Sequence, residues 1–229
     1  MIQKNDLFDY GTHIFQNTNY FKFSIDSILL AEFVSFKSHQ TVLDMCTGNA
    51  PIPLILSTKD DTLKIDAVEI QKEVFDLAKR SIEHDDYKNI NLVNADIKDY
   101  KSKLKYDIVI CNPPFFKVDE HSILNENIVK RIARHEVAIT LKEVIEIAKN
   151  NLNENGKFYI VNRTNRFLET INELQNKRLG IRKICFIYTK DNREAEFFMI
   201  ESEQNKKDDP KISSINIKGL KTYKNIFKE

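Results

Sequence analysis

At 229 residues and 26.8 kDa, with 41% apolar residues, the chain can bury one large α/β core and is too apolar for wholesale disorder. No apolar run approaches the roughly 20 residues of a membrane-spanning helix, and Met1 to Gly11 lack a signal-peptide core, so the cytoplasm is the expected compartment. The net charge of +1 excludes a uniformly basic protein, but residues 157–193 carry a net +6 and residues 204–229 a net +4, which suits either a polyanion such as RNA or a solvated lysine-rich surface.

Thr41 to Met45 form a short apolar run leading into a Gly-containing loop, the pattern of a buried strand and a turn. Pro51 and Pro53 fit the first turn of the next helix, where a missing N–H costs little. Ile65 to Val68 read as a second strand ending at Glu69, and Val74, Leu77, Ala78 and Ile82 recur at helical spacing. Ile90 to Val93 give a third strand before Asp96. Tyr106 to Cys111 give a fourth, which runs straight into Asn112-Pro113-Pro114-Phe115. Thr140 and Glu143 form a capping box for a helix bearing Leu141, Val144, Ile147 and Ala148, with Gly156 as its stop. Phe158 to Val161 make a fifth strand, and Phe167, Ile171 and Leu174 mark another helix. Ile184 to Tyr188 and Glu196 to Ile200 close the pattern as two strands joined by a polar turn at residues 190–193. This alternation predicts an α/β three-layer sandwich with a mostly parallel, seven-stranded Rossmann-like sheet and an antiparallel C-terminal hairpin. The expected organisation is an N-terminal segment (hairpin and helix) over residues 1–39, a catalytic domain over 40–203 and a basic tail over 204–229.

In such sheets ligands bind beyond the carboxyl ends of the strands. Asp44, Glu69 and Asp96 occupy three such ends. Glu69 is the expected partner for ribose hydroxyls, Asp96 for an adenine amino group and Asp44 for a cofactor amino group, with Ile70 and Ile97 beside them. The loop Asp44-Met45-Cys46-Thr47-Gly48-Asn49-Ala50 lacks G-x-G-x-x-G, which disfavours a nicotinamide cofactor. S-adenosylmethionine enzymes usually carry D-x-G-x-G-x-G here. Gly48 matches, while Cys46 and Ala50 replace the other two glycines. A left-handed backbone at Cys46 would cost about 1 kcal/mol. Read alone, the three acids are equally compatible with capping helices and turns. The three cysteines, Cys46, Cys111 and Cys185, match neither a disulfide framework nor zinc-ligand spacing, and no metal site is expected.

Asn112-Pro113-Pro114-Phe115 is the most specific feature. An exocyclic amino nitrogen is a poor nucleophile because its lone pair is delocalised. The Asn112 side-chain oxygen and the Pro113 carbonyl can accept its two N–H groups and direct the lone pair at an electrophilic methyl. The prolines stiffen that acceptor array, and Phe115 offers a flat face for a flipped-out base. No strong general base is needed.

With those residues in place, the chain resembles the bacterial tRNA N6-adenine methyltransferases that act next to the anticodon of valine tRNA, within the small-subunit-methyltransferase-like group. The resemblance includes Gln16 to Ala31, the loop after Asp44, Glu69, Asp96, the Asn112 motif, Arg131-Ile132-Ala133-Arg134-His135-Glu136 and Arg163-Thr164-Asn165-Arg166. It implies the class I methyltransferase fold, S-adenosyl-L-methionine as cofactor and tRNA as partner, in a protein expected to be a monomer. It also implies that Asp26 lies over the cofactor pocket, and that Arg134, Arg163 and Arg166 join Phe115 on the substrate side. Arg134 and His135 fit RNA contact, loop ordering or helix-surface packing equally. Guanine N2 in ribosomal RNA, glutamine in a protein, and a non-catalytic RNA-binding role are the competing readings.

Overall fold

The computed structural model describes residues 2–17, 25–102, 104–113, 139–189 and 194–227. Its centre is an eight-stranded sheet. The parallel strands β3 (Thr41–Met45), β4 (Lys64–Glu69) and β5 (Ile90–Asn94) run outward in one direction. β6 (Tyr106–Cys111) and β7 (Leu152–Arg163) lie on the other side of β3, also parallel. β9 (Phe197–Gln204) is inserted antiparallel between β7 and β8 (Leu179–Tyr188), and β10 (Lys211–Asn216) joins β8 in parallel. The strand order therefore reverses between β3 and β6, and in open α/β sheets ligands bind beyond the carboxyl ends at such a switch point.

Helices cover both faces. α1 (Ile25–Phe33), α2 (Pro51–Lys59) and α3 (Lys72–His84) share one buried cluster with the hairpin β1 (Ile2–Asp6) and β2 (His13–Asn17). α4 (Leu141–Asn151) and α5 (Phe167–Asn176) form the other, around Leu43, Val109, Phe158 and Phe198. α3 buries Val74, Leu77, Ala78 and Ile82 and exposes its charged face, the amphipathic arrangement its spacing predicts. Thr140 and Glu143 close a complete capping box on α4. No described helix is long and apolar enough to cross a membrane.

Three expectations change. The sheet has an eighth strand, because residues 204–229 return to the core: β10 pairs with β8, and Tyr223, Ile226 and Phe227 pack on the cluster of α1 and α2. Gln204 itself ends β9, so the tail is continuous with the domain. Gly156 does not stop α4, which ends at Asn151; it lies within β7, where a Cβ would sit 3.0 Å from the Asn153 and Tyr106 carbonyl oxygens. The basic window at 157–193 is also not a free basic face. Lys157 and Lys183 pair with Glu201, Arg163 with Glu196, Arg166 with Glu169, Lys177 with Glu146 and Arg182 with Glu203. Most of these acids come from β9 and its approach, which the strand order brings alongside β7 and β8.

Candidate active site

Asp44, Glu69, Asp96 and Asn112 stand at the ends of β3, β4, β5 and β6, four adjacent parallel strands. At about 4.8 Å between strands, they line an edge roughly 14 Å long, enough for a nucleoside and an amino-acid chain laid end to end.

The loop after β3 explains its unusual composition. Cys46, Gly48 and Ala50 all have positive φ, at 56°, 61° and 66°. These are the three positions that D-x-G-x-G-x-G fills with glycine, so the loop keeps the glycine-type path with side chains at two of the three turns. Left-handed backbone costs a non-glycine residue roughly 1–2 kcal/mol. Neighbouring bonds hold it there: Thr47 N–H donates to the Val68 carbonyl (2.9 Å), Gly48 N–H to Glu69 Oε2 (2.9 Å) and Ala50 N–H to the Thr47 carbonyl (3.1 Å). A Cβ on Gly48 would meet nothing within 4 Å. Gly48→Ala is therefore expected to lower the stability of the free protein by only about 1 kcal/mol in urea unfolding. Its methyl would project into that open space, so cofactor affinity measured by calorimetry should fall by more than the tenfold that about 1.4 kcal/mol represents.

Glu69, the expected ribose partner, also ties two loops together. Its carboxylate is buried and accepts from Gly48 N–H through one oxygen and from Gln71 N–H (2.8 Å) through the other, tying the loop after β3 to that after β4. Burial raises its pKa, and the backbone donors at Gln71, Gly48 and Ile70 oppose the shift. Ile70 is exposed beside it, whereas Ile97 is buried. Asp96 is half-buried; it accepts from Lys98 N–H (2.9 Å) and pairs with the Lys98 ammonium at 3.4 Å.

Asp44 is 1% exposed and accepts from Thr47 Oγ1 at 2.5 Å through Oδ2, while Oδ1 is buried with no hydrogen-bond partner. Burial, with the Glu69 charge adding to it, pushes the Asp44 carboxyl up to about 7. Asp26, in the first turn of α1, accepts from Ser27 N–H through Oδ1. Asn112 repeats the pattern of Asp44. Its Nδ2 donates to Ser27 Oγ at 2.8 Å, and its Oδ1 is buried and unpartnered. Unsatisfied buried acceptors cost about 1–3 kcal/mol each. At a strand-end switch point such atoms are candidates for donors supplied by a ligand or by water.

Ser27 is the residue that sequence reasoning missed. By taking the amide N–H it fixes which way round the Asn112 carboxamide sits, and leaves the oxygen facing outward from β6. Nothing in an isolated Asp-Ser pair on a helix signals this; only the 85-residue contact does. Ser27→Ala should reduce the turnover rate by about tenfold, the worth of one neutral hydrogen bond, with cofactor affinity unchanged in calorimetry. Equal loss of both would assign Ser27 to the cofactor pocket instead.

Cys111 is buried, and its thiol is raised well above its usual range by desolvation, by the neighbouring Cys46 thiol and by Asp44. A thiol so held is not a ready nucleophile. Pro113 is buried at the end of β6, while Pro114, Phe115, Arg134 and His135 lie outside the described residues, as do residues 18–24 of the N-terminal segment. Arg163 packs its guanidinium 4.3 Å over the Phe197 ring and pairs with Glu196. Arg166, expected on the substrate side, is 4% exposed and holds Glu169 at 2.8 Å, so its cation is committed to the start of α5.

Residues 20–184 match the family described as Methyltransferase small domain. The chain belongs to that family. Among curated members with similar sequences, the tRNA1(Val) (adenine(37)-N6)-methyltransferase of Pseudoalteromonas translucida is 29% identical over 61% of this chain and 59% of its own length. The protein of the same name from Dyadobacter fermentans is 29% identical over 65% of this chain and 62% of its own. The chain thus spans about three fifths of these two relatives. That of Flavobacterium psychrophilum is 23% identical over 83% of both chains. Among solved structures, the tRNA m1G37 methyltransferase of M. jannaschii superposes with a TM-score of 0.65 at 17% identity, over 90% of this chain and 57% of its own. A SAM-dependent O-methyltransferase of Thermotoga maritima gives 0.58 at 15% identity, over 83% and 69%. The fold is the class I S-adenosylmethionine-dependent methyltransferase fold, and the buried Asp44 and Asn112 oxygens without a hydrogen-bond partner lie at its switch point.

Proposed function

We propose that this methyltransferase small domain protein transfers a methyl group from S-adenosyl-L-methionine to the N6 amino group of an adenine in tRNA, next to the anticodon of valine tRNA. The observation that carries this reading is the Asn112 carboxamide, with its nitrogen engaged by Ser27 and its oxygen buried and unpartnered at the switch point. A buried acceptor in that state requires an N–H donor, and an exocyclic amine brings two.

Asp44, the loop through Gly48, Glu69 and the residues around Asp96 would hold the cofactor. When bound, it supplies an electrophilic methyl on a sulfonium. Asp44 Oδ1 suits the cationic amino group of the amino-acid portion. Asn112 Oδ1 would accept one N–H of the target amine and the Pro113 carbonyl the other. The nitrogen then departs from planarity and its lone pair becomes available. The proton leaves to solvent after transfer, because the methylated nitrogen is acidic until it does.

Adenine in tRNA is favoured by the names of the similar curated proteins, and a cytoplasmic location is consistent with such a substrate. A non-catalytic relative, which Cys46 and Ala50 would suit, is disfavoured by the intact Asn112-Pro113-Pro114-Phe115 motif, since an abandoned site need not keep its chemistry. Incubating the protein with labelled S-adenosylmethionine and total small RNA, then analysing nucleosides by mass spectrometry, tests the proposal. N6-methyladenosine in tRNA is the expected product. Methylguanosine would move the target to N2 of guanine, and label in protein would move it to glutamine.

A further inference from the structure

We propose that His13, His84 and Asp85 form a binding site for a divalent transition-metal ion of the zinc class, which clamps the N-terminal hairpin to the end of α3. The sequence offers no metal motif, since His13 and Asp85 are 72 positions apart. Folding brings them together. Asp85 Oδ1 lies 3.0 Å from His13 Nδ1 and 2.6 Å from His84 Nδ1, and the ligand atoms of all three residues fall within 4.8 Å of one another. The two rings meet edge-on, with centroids 4.8 Å apart and planes at 61°.

The arrangement converges two imidazoles on one carboxylate oxygen. Asp85 Oδ2 already accepts from Thr12 Oγ1 and His13 N–H, both at 2.7 Å. Oδ1 would then need two further donors, with both imidazoles in the Nδ1–H form. One divalent ion in place of those two protons turns the same three atoms into a ligand set. Zinc–ligand distances of about 2.0–2.2 Å put tetrahedral ligand atoms roughly 3.3 Å apart. The 3.0 Å contact of Asp85 with His13 would widen by about 0.3 Å and the 2.6 Å contact with His84 by about 0.7 Å, with the two imidazole nitrogens, already within 4.8 Å of each other, settling to the same spacing. Two imidazoles and one carboxylate, with a fourth position for water, suit zinc.

The surroundings are those of a metal site. Ligating carboxylates and histidines are held by outer hydrogen bonds. Here Thr12 and the His13 backbone fix the Asp85 oxygen that would not bind the ion, and Asp6 Oδ1 lies 3.3 Å from the far nitrogen of His13. Side-chain exposures of 30%, 36% and 17% for His13, His84 and Asp85 leave a way in from solvent. α3 rises about 18 Å from Lys72 to this end, so the ion would be structural and separate from the methyl-transfer centre. Its effect would still reach the cofactor loop, because β2 carries Phe15, whose carbonyl accepts from Asn49 Nδ2 at 3.3 Å.

The test uses the full chain stripped with a chelator and titrated with Zn2+ alone. One ion per chain is expected in calorimetry, with a rise of about 5–10 °C in thermal midpoint at a hundredfold excess over Kd. His84→Ala and His13→Ala should each weaken binding by at least tenfold. Both variants leave the Thr12–Asp85 bond intact, and circular dichroism verifies that they fold. Cys46→Ser should bind as the wild type does, and the Co2+ complex should lack the near-ultraviolet absorption of a thiolate ligand. The proposal is overturned by absence of saturable binding, by binding that survives both histidine variants, or by binding lost with Cys46.

Discussion

Asn112→Ala is expected to slow methyl transfer by about 10²–10³-fold, the range seen when one preorganised partner of a developing charge is removed. Cofactor affinity should stay within a few-fold. The asymmetry follows from what each atom does. The carboxamide oxygen has no partner in the free protein, and its nitrogen is held by Ser27, so the side chain is set before any substrate arrives. Alanine removes both the acceptor and the orientation, but leaves Asp44, Glu69 and the loop path untouched. Single-turnover rates with labelled S-adenosylmethionine, alongside calorimetry of cofactor binding, separate the two. A rate near that of the wild type would remove Asn112 from the mechanism. Loss of affinity in proportion to rate would make it a cofactor ligand only.

What could be read in advance from the chain follows from where each residue ended up. β3, β4 and β6 are buried on both faces, so their sequences are nearly unbroken apolar runs and their limits are legible within a residue or so. β7 begins at Leu152, six residues before its apolar run, because Asn153 to Lys157 face solvent or carry the bulge opposite Tyr106 and Ile108. β10 left no such trace. It is an edge strand, exposed at almost every position, and Lys-Ile-Ser-Ser-Ile-Asn has no side to bury. The acids at the strand ends were legible because the fold puts ligand chemistry there by rule. Their detailed work was not: that Glu69 ties two loops by accepting from Gly48 and Gln71, or that Ser27 fixes Asn112, depends on contacts across 21 and 85 positions. The basic window at 157–193 misled for the same reason. Charge counted along the chain takes no account of Glu201, which β9 places between Lys157 and Lys183.

Asp44→Asn carries the second large effect, and it works in opposite directions on stability and on binding. A carboxyl at about 7 in the folded protein, against 3.8 unfolded, binds its proton more tightly when folded. Between those two values the folded state holds more protons, so stability falls as pH rises from about 4 to 7 and is level above that. The full penalty is the pKa difference times about 1.36 kcal/mol per unit, at most about 4 kcal/mol. Asparagine keeps an acceptor for Thr47 Oγ1 and carries no charge, so the variant without cofactor should be more stable than the wild type at pH 8, with a much smaller gain at pH 5. The same change removes the buried carboxylate that would meet a cationic amino group, at roughly 1.5–3 kcal/mol for a charged hydrogen bond. Cofactor affinity should therefore drop by about 10–150-fold at pH 8. In the wild type that affinity should rise with pH up to about 7, because a neutral Asp44 must lose its proton to pair with the cation. Urea midpoints at pH 5 and pH 8, set beside calorimetry over the same range, measure both halves. If Asp44→Asn destabilises the free protein at pH 8, the buried carboxylate already has a partner that the free fold supplies. If it stabilises the protein and leaves affinity intact, Asp44 serves the loop and the cofactor's amino group is held elsewhere.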